Sequence, residues 1–153
     1  MDDTLSAVEP EDLALLLASE EMAPEKEPEP LDRIRMQKAV YILQESGPNE
    51  WNRLFEYIAW DWGPFSKELA ATLDRLVNQG LLRVETVPHH HPRFRTTDLG
   101  EQRVRELLAG LDPAKAAYVA KVRRYVTSRT FNQLLREVYA AYPKMAEKSR
   151  FQY

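Results

Sequence analysis

The sequence predicts a mainly helical α+β protein, and three observations support this fold class. Apolar residues recur at helical spacing in several separate segments. Two short runs, 81–87 and 93–97, have the composition of strands and flank a loop of two prolines and three histidines. The chain has 153 residues, of which 44% are hydrophobic and 29% charged, which suffices for one domain with a buried core.

The first thirty residues differ in charge from the rest of the chain. Residues 1–30 hold ten acidic residues and one lysine, whereas residues 31–153 hold twenty basic and fourteen acidic residues. The net charge of −3 therefore combines an acidic N-terminal arm at −9 with a body at +6. Three prolines among the charged residues 24–30 indicate an extended linker, so we expect a domain boundary near Leu31.

Within the arm, residues 10–22 predict a short helix that begins at Pro10 and carries Leu13, Leu16 and Leu17 on one face. One interpretation is a helix packed on its own domain. A second is an amphipathic arm whose leucines bind a partner, or whose acids mask the basic surface of the body. Disorder is the third, because a helix of this length is marginally stable alone.

The body opens with an apolar helical stripe that ends at Gly47-Pro48 and predicts a buried helix. The segment 51–65 contains all three tryptophans, and its half-alternating pattern predicts a short strand that stops at Gly63-Pro64. Its rings form either a corner of the core or a recognition surface for a partner protein. The candidate partner-binding residues are Phe55, Tyr57, Trp60, Trp62 and Phe65.

The second half of the chain predicts one further helix, a hairpin and three more helices. Ser66 is a favourable N-cap for a helix over 66–79, and Gly80 ends it. The runs 81–87 and 93–97 then form a β-hairpin. The last three helices begin near Thr97, Asp112 and Thr130, and Pro143 ends the last one.

This order of elements is that of a winged-helix-like core with one β-hairpin wing and additional C-terminal helices, spanning residues 31–153. In that geometry the helix 66–79 is the recognition helix, and the histidines at 89–91 form the wing tip.

Particular motifs also resemble a known family. QKAVYILQE (37–45), FEYIAWDWGPFSKEL (55–69), LDRLVNQGLL (73–82) and TTDLGEQ (96–102) resemble the SocA-like, or Panacea, antitoxin domain. LLREVYAAYPKMAEKSRF (134–151) resembles the related YwgA-type bacterial proteins. The resemblance implies a non-enzymatic role through protein contacts, either toxin neutralisation or delivery of a partner to a protease. Trp62, where the relatives tend to have tyrosine, and the acidic arm depart from the family pattern.

Catalytic and cofactor motifs do not occur in the sequence. GxGxxG, GxxxxGK, GxSxG and HExxH are missing, and there is no cysteine, which is typical of a cytoplasmic protein without disulfides. The histidines at 89–91 alternate sides of an extended chain and have no acidic neighbour, so they favour a solvated loop over a metal site. No apolar run is long enough to span a membrane. We therefore expect no enzymatic activity, no cofactor and no membrane contact.

Two functions remain. The first is a protein-binding regulator, antitoxin-like or adaptor-like, that uses the aromatic segment and the leucines of the arm. The alternative is a DNA-binding transcriptional regulator that uses the helix 66–79 and the wing 81–97, with Arg93 and Arg95 pointing outward. Two acids on that helix disfavour entry into a groove. The candidate nucleic-acid contacts are Lys67, Arg75, Asn78, Arg93, Arg95, Arg123 and Arg124.

Overall fold

The computed structural model describes residues 8–23 and 29–148, and it confirms a mainly helical α+β fold. Six α-helices and five short strands lie within these ranges. In chain order they are α1 (Pro10–Ala18), β1 (Leu31–Asp32), α2 (Arg33–Ser46), β2 (Ile58–Trp60), β3 (Gly63–Phe65), α3 (Lys67–Asn78), β4 (Leu82–Glu85), β5 (Arg93–Thr96), α4 (Asp98–Gly110), α5 (Pro113–Thr127) and α6 (Phe131–Ala141).

Side-chain caps define where most of the helices begin. Ser66 accepts a hydrogen bond from the Leu69 amide at 3.1 Å, and Thr97 accepts one from the Gly100 amide at 3.0 Å. These bonds satisfy amides that have no partner within the first helical turn. Asp112 caps α5 and Thr130 caps α6 in the same way, so the predicted caps of α3, α4, α5 and α6 are confirmed. Asp32 caps α2.

Two antiparallel sheets accompany the helices. In the larger sheet β5 lies between β1 and β4, and Phe94 of β5 pairs with Leu31 on one side and Val84 on the other. Phe94 is buried, so this sheet turns one face to the core. The predicted hairpin of β4 and β5 is confirmed, and β1 adds a strand that the sequence did not indicate.

The smaller sheet is a hairpin of β2 and β3, and it corrects the expectation that the extended structure ends at Gly63-Pro64. Gly63 pairs with Trp60 across a two-residue turn and adopts φ +98°, a conformation that favours glycine. The chain therefore reverses here and forms a second strand before α3. A Cβ at Gly63 would also lie 3.2 Å from the Cε and Nζ atoms of Lys38.

Helix α1 lies inside the core. Of the three interpretations of the arm, the structure therefore agrees with the first, a helix packed on its own domain. Leu13, Leu16 and Leu17 are each 0% exposed, and α1 packs against α2, α3, α4 and α5. The physical reason is that residues 13–18 of α1 are all apolar, so this part of the helix has no polar face and is stable only between other elements. These leucines are therefore core residues rather than a contact surface for a partner.

The chain on both sides of the linker belongs to one packed unit, whereas residues 24–28 lie outside the described part. Leu31 is fully buried and begins β1. Arg123 of α5, 1% exposed, donates from Nε to the Leu17 carbonyl at 2.9 Å and from Nη2 to the Glu29 carbonyl at 2.8 Å. Arg123 thus stabilises the packing of the N-terminal segment and is not a surface contact for nucleic acid. No described helix has the length and apolar character needed to cross a membrane.

Candidate partner-binding groove

Three large hydrophobic side chains are exposed on the β2–β3 hairpin. Ile58, Trp60 and Trp62 are 43%, 45% and 41% exposed. Alternate residues of a strand point to the same side, which places Ile58 and Trp60 together on one face of β2. A cluster of exposed apolar side chains is unfavourable in water and is typical of a surface that another molecule covers.

Beside these residues, a groove of about 240 Å³ lies between α2, α3 and the hairpin. Its walls are largely apolar, and its two charged residues are both basic. No acidic side chain lines it among the residues that the structure describes. The lining residues are Arg33, Ile34, Gln37, Lys38, Trp60, Trp62, Gly63, Pro64, Phe65, Ala70 and Leu73.

Lys38 is the buried charged residue of this groove. Only 3% of Lys38 is exposed, and its Nζ donates a hydrogen bond to the Trp62 carbonyl. Burial lowers the pKa of Lys38 to about 7, while the negative charge of Asp32 acts in the opposite direction. Both carboxylate oxygens of Asp32 already bind Arg35, one to its amide and one to its guanidinium, each at 2.7 Å.

Hydrogen bonds between α2 and the residues that flank the hairpin hold the groove in shape. Gln37 donates to the Ser66 carbonyl at 2.9 Å and accepts from the Ser66 amide at 2.8 Å. The Tyr57 hydroxyl donates to the Gln37 carbonyl at 2.9 Å, and burial raises the pKa of Tyr57. The hairpin is therefore fixed to α2 at both ends, which positions its tryptophans on a rigid element.

The predicted aromatic residues divide between the core and the surface. Phe55 is buried and Tyr57 is half-buried against Tyr41, with ring centroids 4.9 Å apart, so neither faces a partner. Trp60 and Trp62 are exposed and line the groove together with Phe65. The core interpretation of the segment 51–65 thus holds for Phe55 and Tyr57, whereas for Trp60, Trp62 and Phe65 a recognition surface stays a prediction.

Sequence reasoning did not identify Lys38, Gln37 or Ile58 as functional candidates. A signal for Lys38 exists, because it lies among apolar residues in a helix that was predicted to be buried. Nothing local marks Gln37, since its partners are 29 residues away in the sequence.

Three of the basic residues predicted to contact nucleic acid, Arg75, Arg93 and Arg95, are engaged by acids. Contrary to the expectation that they point outward, Arg93 and Arg95 both bind Glu85 of β4, at 2.6 and 2.7 Å. These hydrogen bonds, those from Arg95 above all, lower the pKa of Glu85. Arg93 also pairs with Glu29 at 3.5 Å, and Arg95 pairs with Glu20.

The other candidates lie on helices. On α3, Arg75 pairs with Glu11 of α1 at 3.6 Å. Lys67 and Asn78 are exposed on α3, and Arg124 is exposed on α5. Acids of the N-terminal segment, Glu11, Glu20 and Glu29, thus pair with one arginine of α3 and with both wing arginines.

The histidines at 89–91 are exposed and border a polar cavity of about 690 Å³ near Arg35 and Arg93. Within residues 8–23 and 29–148, no group of three or more histidine or acidic side chains is arranged to hold a metal ion.

The fold and the groove together define a mainly helical α+β domain with a rigid apolar groove that contains a buried lysine. Comparison with known proteins adds no family to this description: no family model matches the sequence, and no curated protein is similar to it. The resemblance to the SocA-like domain therefore rests on the motifs alone.

Proposed function

We propose that this chain is a non-catalytic, protein-binding regulator, antitoxin-like or adaptor-like, that binds an apolar segment of its partner in the groove beside α2. The observation that carries the proposal is the exposure of Trp60 and Trp62, which line that groove, and of Ile58 on the same face of β2 as Trp60. Tryptophans in such positions commonly supply most of the binding free energy at protein interfaces. A winged-helix-like scaffold is part of this proposal, and the order of α3 followed by the hairpin of β4 and β5 supports it.

We expect that Trp60→Ala will weaken binding of the native partner by at least about 2 kcal/mol, or roughly thirtyfold. The partner is first recovered from native cell extract at defined stoichiometry and then purified, and its affinity is measured by calorimetry. Leu99→Ala is the matched control, because Leu99 is 53% exposed on α4, outside the groove. Equal affinities for wild type and Trp60→Ala, with both proteins folded, would contradict the proposal.

A second candidate function is duplex DNA binding through β5, masked by acids of the N-terminal segment. The ion pairs of Arg95 with Glu20 and of Arg93 with Glu29 favour it. They place two acids of the N-terminal segment on the two wing arginines that the sequence predicts to contact phosphates. Masking of this kind leaves the chain with weaker affinity for polyanions than a folded chain without these two ion pairs would have.

Replacing Glu20 and Glu29 together by glutamine is then expected to raise affinity for a duplex about tenfold at low salt, with a steeper salt dependence. Fluorescence anisotropy with a labelled duplex measures this. Glu106→Gln is the control, because Glu106 pairs with Arg103 rather than with β5. Absence of duplex binding by the double variant at low salt would exclude the DNA function.

A further inference from the structure

The groove carries information about the chemistry of the segment that binds there. Its only charged lining residues among those described are Lys38 and Arg33, and both are cations. Arg33 lies at the exposed rim, where it pairs with Asp74 at 3.1 Å. Lys38 lies at the buried end, next to the Trp62 carbonyl. A groove that is apolar along its walls and cationic at its base is complementary to an apolar ligand with one negative charge.

Lys38 has unused capacity to donate hydrogen bonds. An ammonium group has three N–H donors, and the described residues provide one acceptor, the Trp62 carbonyl. Asp32, the carboxylate whose charge acts on Lys38, is hydrogen-bonded to Arg35 through both oxygens and forms no ion pair with Lys38. Gly63 leaves the space beside Nζ open, since any side chain there would contact it at 3.2 Å. A buried ammonium in these surroundings is stabilised by an anion that enters the groove.

We propose that the partner segment places one acidic side chain on Lys38 while its apolar neighbours cover Trp60, Trp62 and Ile58. This inference rests on the proposed function and adds the chemistry of the partner to it. The groove volume of about 240 Å³ suits one or two side chains rather than a whole peptide, so the main chain of the segment runs outside. The exposed tryptophans then contact residues on either side of the acid.

The pKa of Lys38 supports the proposal and gives it a pH signature. Below pH 7 the amine is protonated before the ligand arrives, whereas above pH 7 the ligand binds only with uptake of a proton. Affinity for an acidic segment therefore falls with rising pH, by up to about tenfold per unit. Asp32 is the other charged group that acts on Lys38, and Arg33 is the other charged residue that lines the groove. Asp61 precedes Trp62 in the hairpin turn, β3 has no charged side chain, and Leu135 of α6 lies beside Gly63.

The test uses the full chain and two blocked peptides, acetyl-Ala-Leu-Glu-Phe-Leu-Ala-amide and its glutamine counterpart. We expect the Glu peptide to bind wild type at least about tenfold more tightly than the Gln peptide at pH 6.5, as measured by NMR titration. That preference disappears in Lys38→Met, which keeps the length and apolar body of the side chain. It also declines in wild type between pH 7 and about 9, which requires no variant at all.

Each outcome separates this inference from the proposed function. Equal binding of the two peptides to wild type, or a preference that persists in Lys38→Met, overturns the inference. If both peptides bind equally and Trp60→Ala abolishes their binding, the groove binds apolar segments as proposed, but it does not select for an acidic side chain. If neither peptide binds, the inference is overturned, whereas the proposed function is still decided by the native partner and Trp60→Ala.

Discussion

Removal of residues 1–23 is expected to unfold the remainder of the chain rather than to release a stable basic body. Helix α1 contributes Leu13, Leu15, Leu16 and Leu17 to the core, and none is more than 1% exposed. Each buried leucine that is lost costs about 2–5 kcal/mol, and a domain is stable by only about 5–15 kcal/mol. Arg123 would also lose the Leu17 carbonyl and become a buried charge with one acceptor fewer.

Urea denaturation followed by circular dichroism measures this effect. The truncated chain is expected to show no cooperative transition, and Leu16→Ala in the full chain to lose about 2–5 kcal/mol of unfolding free energy. Glu21→Ala is the control, because Glu21 is exposed in the same segment and its removal changes stability by no more than about 0.5 kcal/mol. A wild-type transition in the truncated chain would show that α1 is dispensable.

This result also decides how masking of the basic surface can be tested. Deletion of the arm removes both the acids and a core helix, so it confounds loss of masking with loss of folding. Replacing Glu20 and Glu29 by glutamine removes only their negative charges, and with them the ion pairs to Arg95 and Arg93, while α1 stays in place.

The helices were predictable because their signals are local. Ser66, Thr97, Asp112 and Thr130 each cap a helix through an amide two or three residues ahead, so cap and apolar stripe occur within one window of sequence. The β4–β5 hairpin was also predictable, since a loop of prolines and histidines separates two short strands.

The hairpin of β2 and β3 was not predictable in the same way. Its strands have three residues each, too few for a periodic pattern, and its position depends on Gln37, which lies 29 residues before Ser66. In the sequence, Gly63-Pro64 is an ordinary signal for the end of a strand. Only the pairing of Gly63 with Trp60 shows that the chain reverses direction there and forms a second strand.

Charged residues were the least predictable part of the candidate sites. Sequence reasoning places a cation in solvent by default, because burial of an unpaired charge is costly. Arg123 is buried because two carbonyls from distant segments accept its hydrogen bonds, and Arg93 and Arg95 turn toward acids that lie elsewhere in the chain. None of these partners is visible in the local pattern around the arginines.

Because of Lys38, we expect the stability of the protein to rise with pH. In the unfolded chain its pKa is the ordinary 10.5, whereas in the folded protein it is about 7. Between these values the unfolded state binds more protons than the folded state, so the free energy of unfolding increases with pH. The slope reaches at most about 1.4 kcal/mol per pH unit. Burial raises the pKa of Tyr41 and of Tyr57, which reverses the trend above about pH 10.

Urea denaturation of wild type and Lys38→Met between pH 6.5 and about 9 isolates this contribution, because the two proteins differ in one titrating group. Lys38→Met is expected to be the more stable protein at pH 6.5, since it removes a buried ammonium that has one hydrogen-bond acceptor among the described residues. The advantage shrinks as pH rises and Lys38 becomes neutral in the folded wild type. Parallel pH profiles for the two proteins would show that Lys38 keeps an ordinary pKa, and the pH dependence expected for binding an acidic segment would then fail as well.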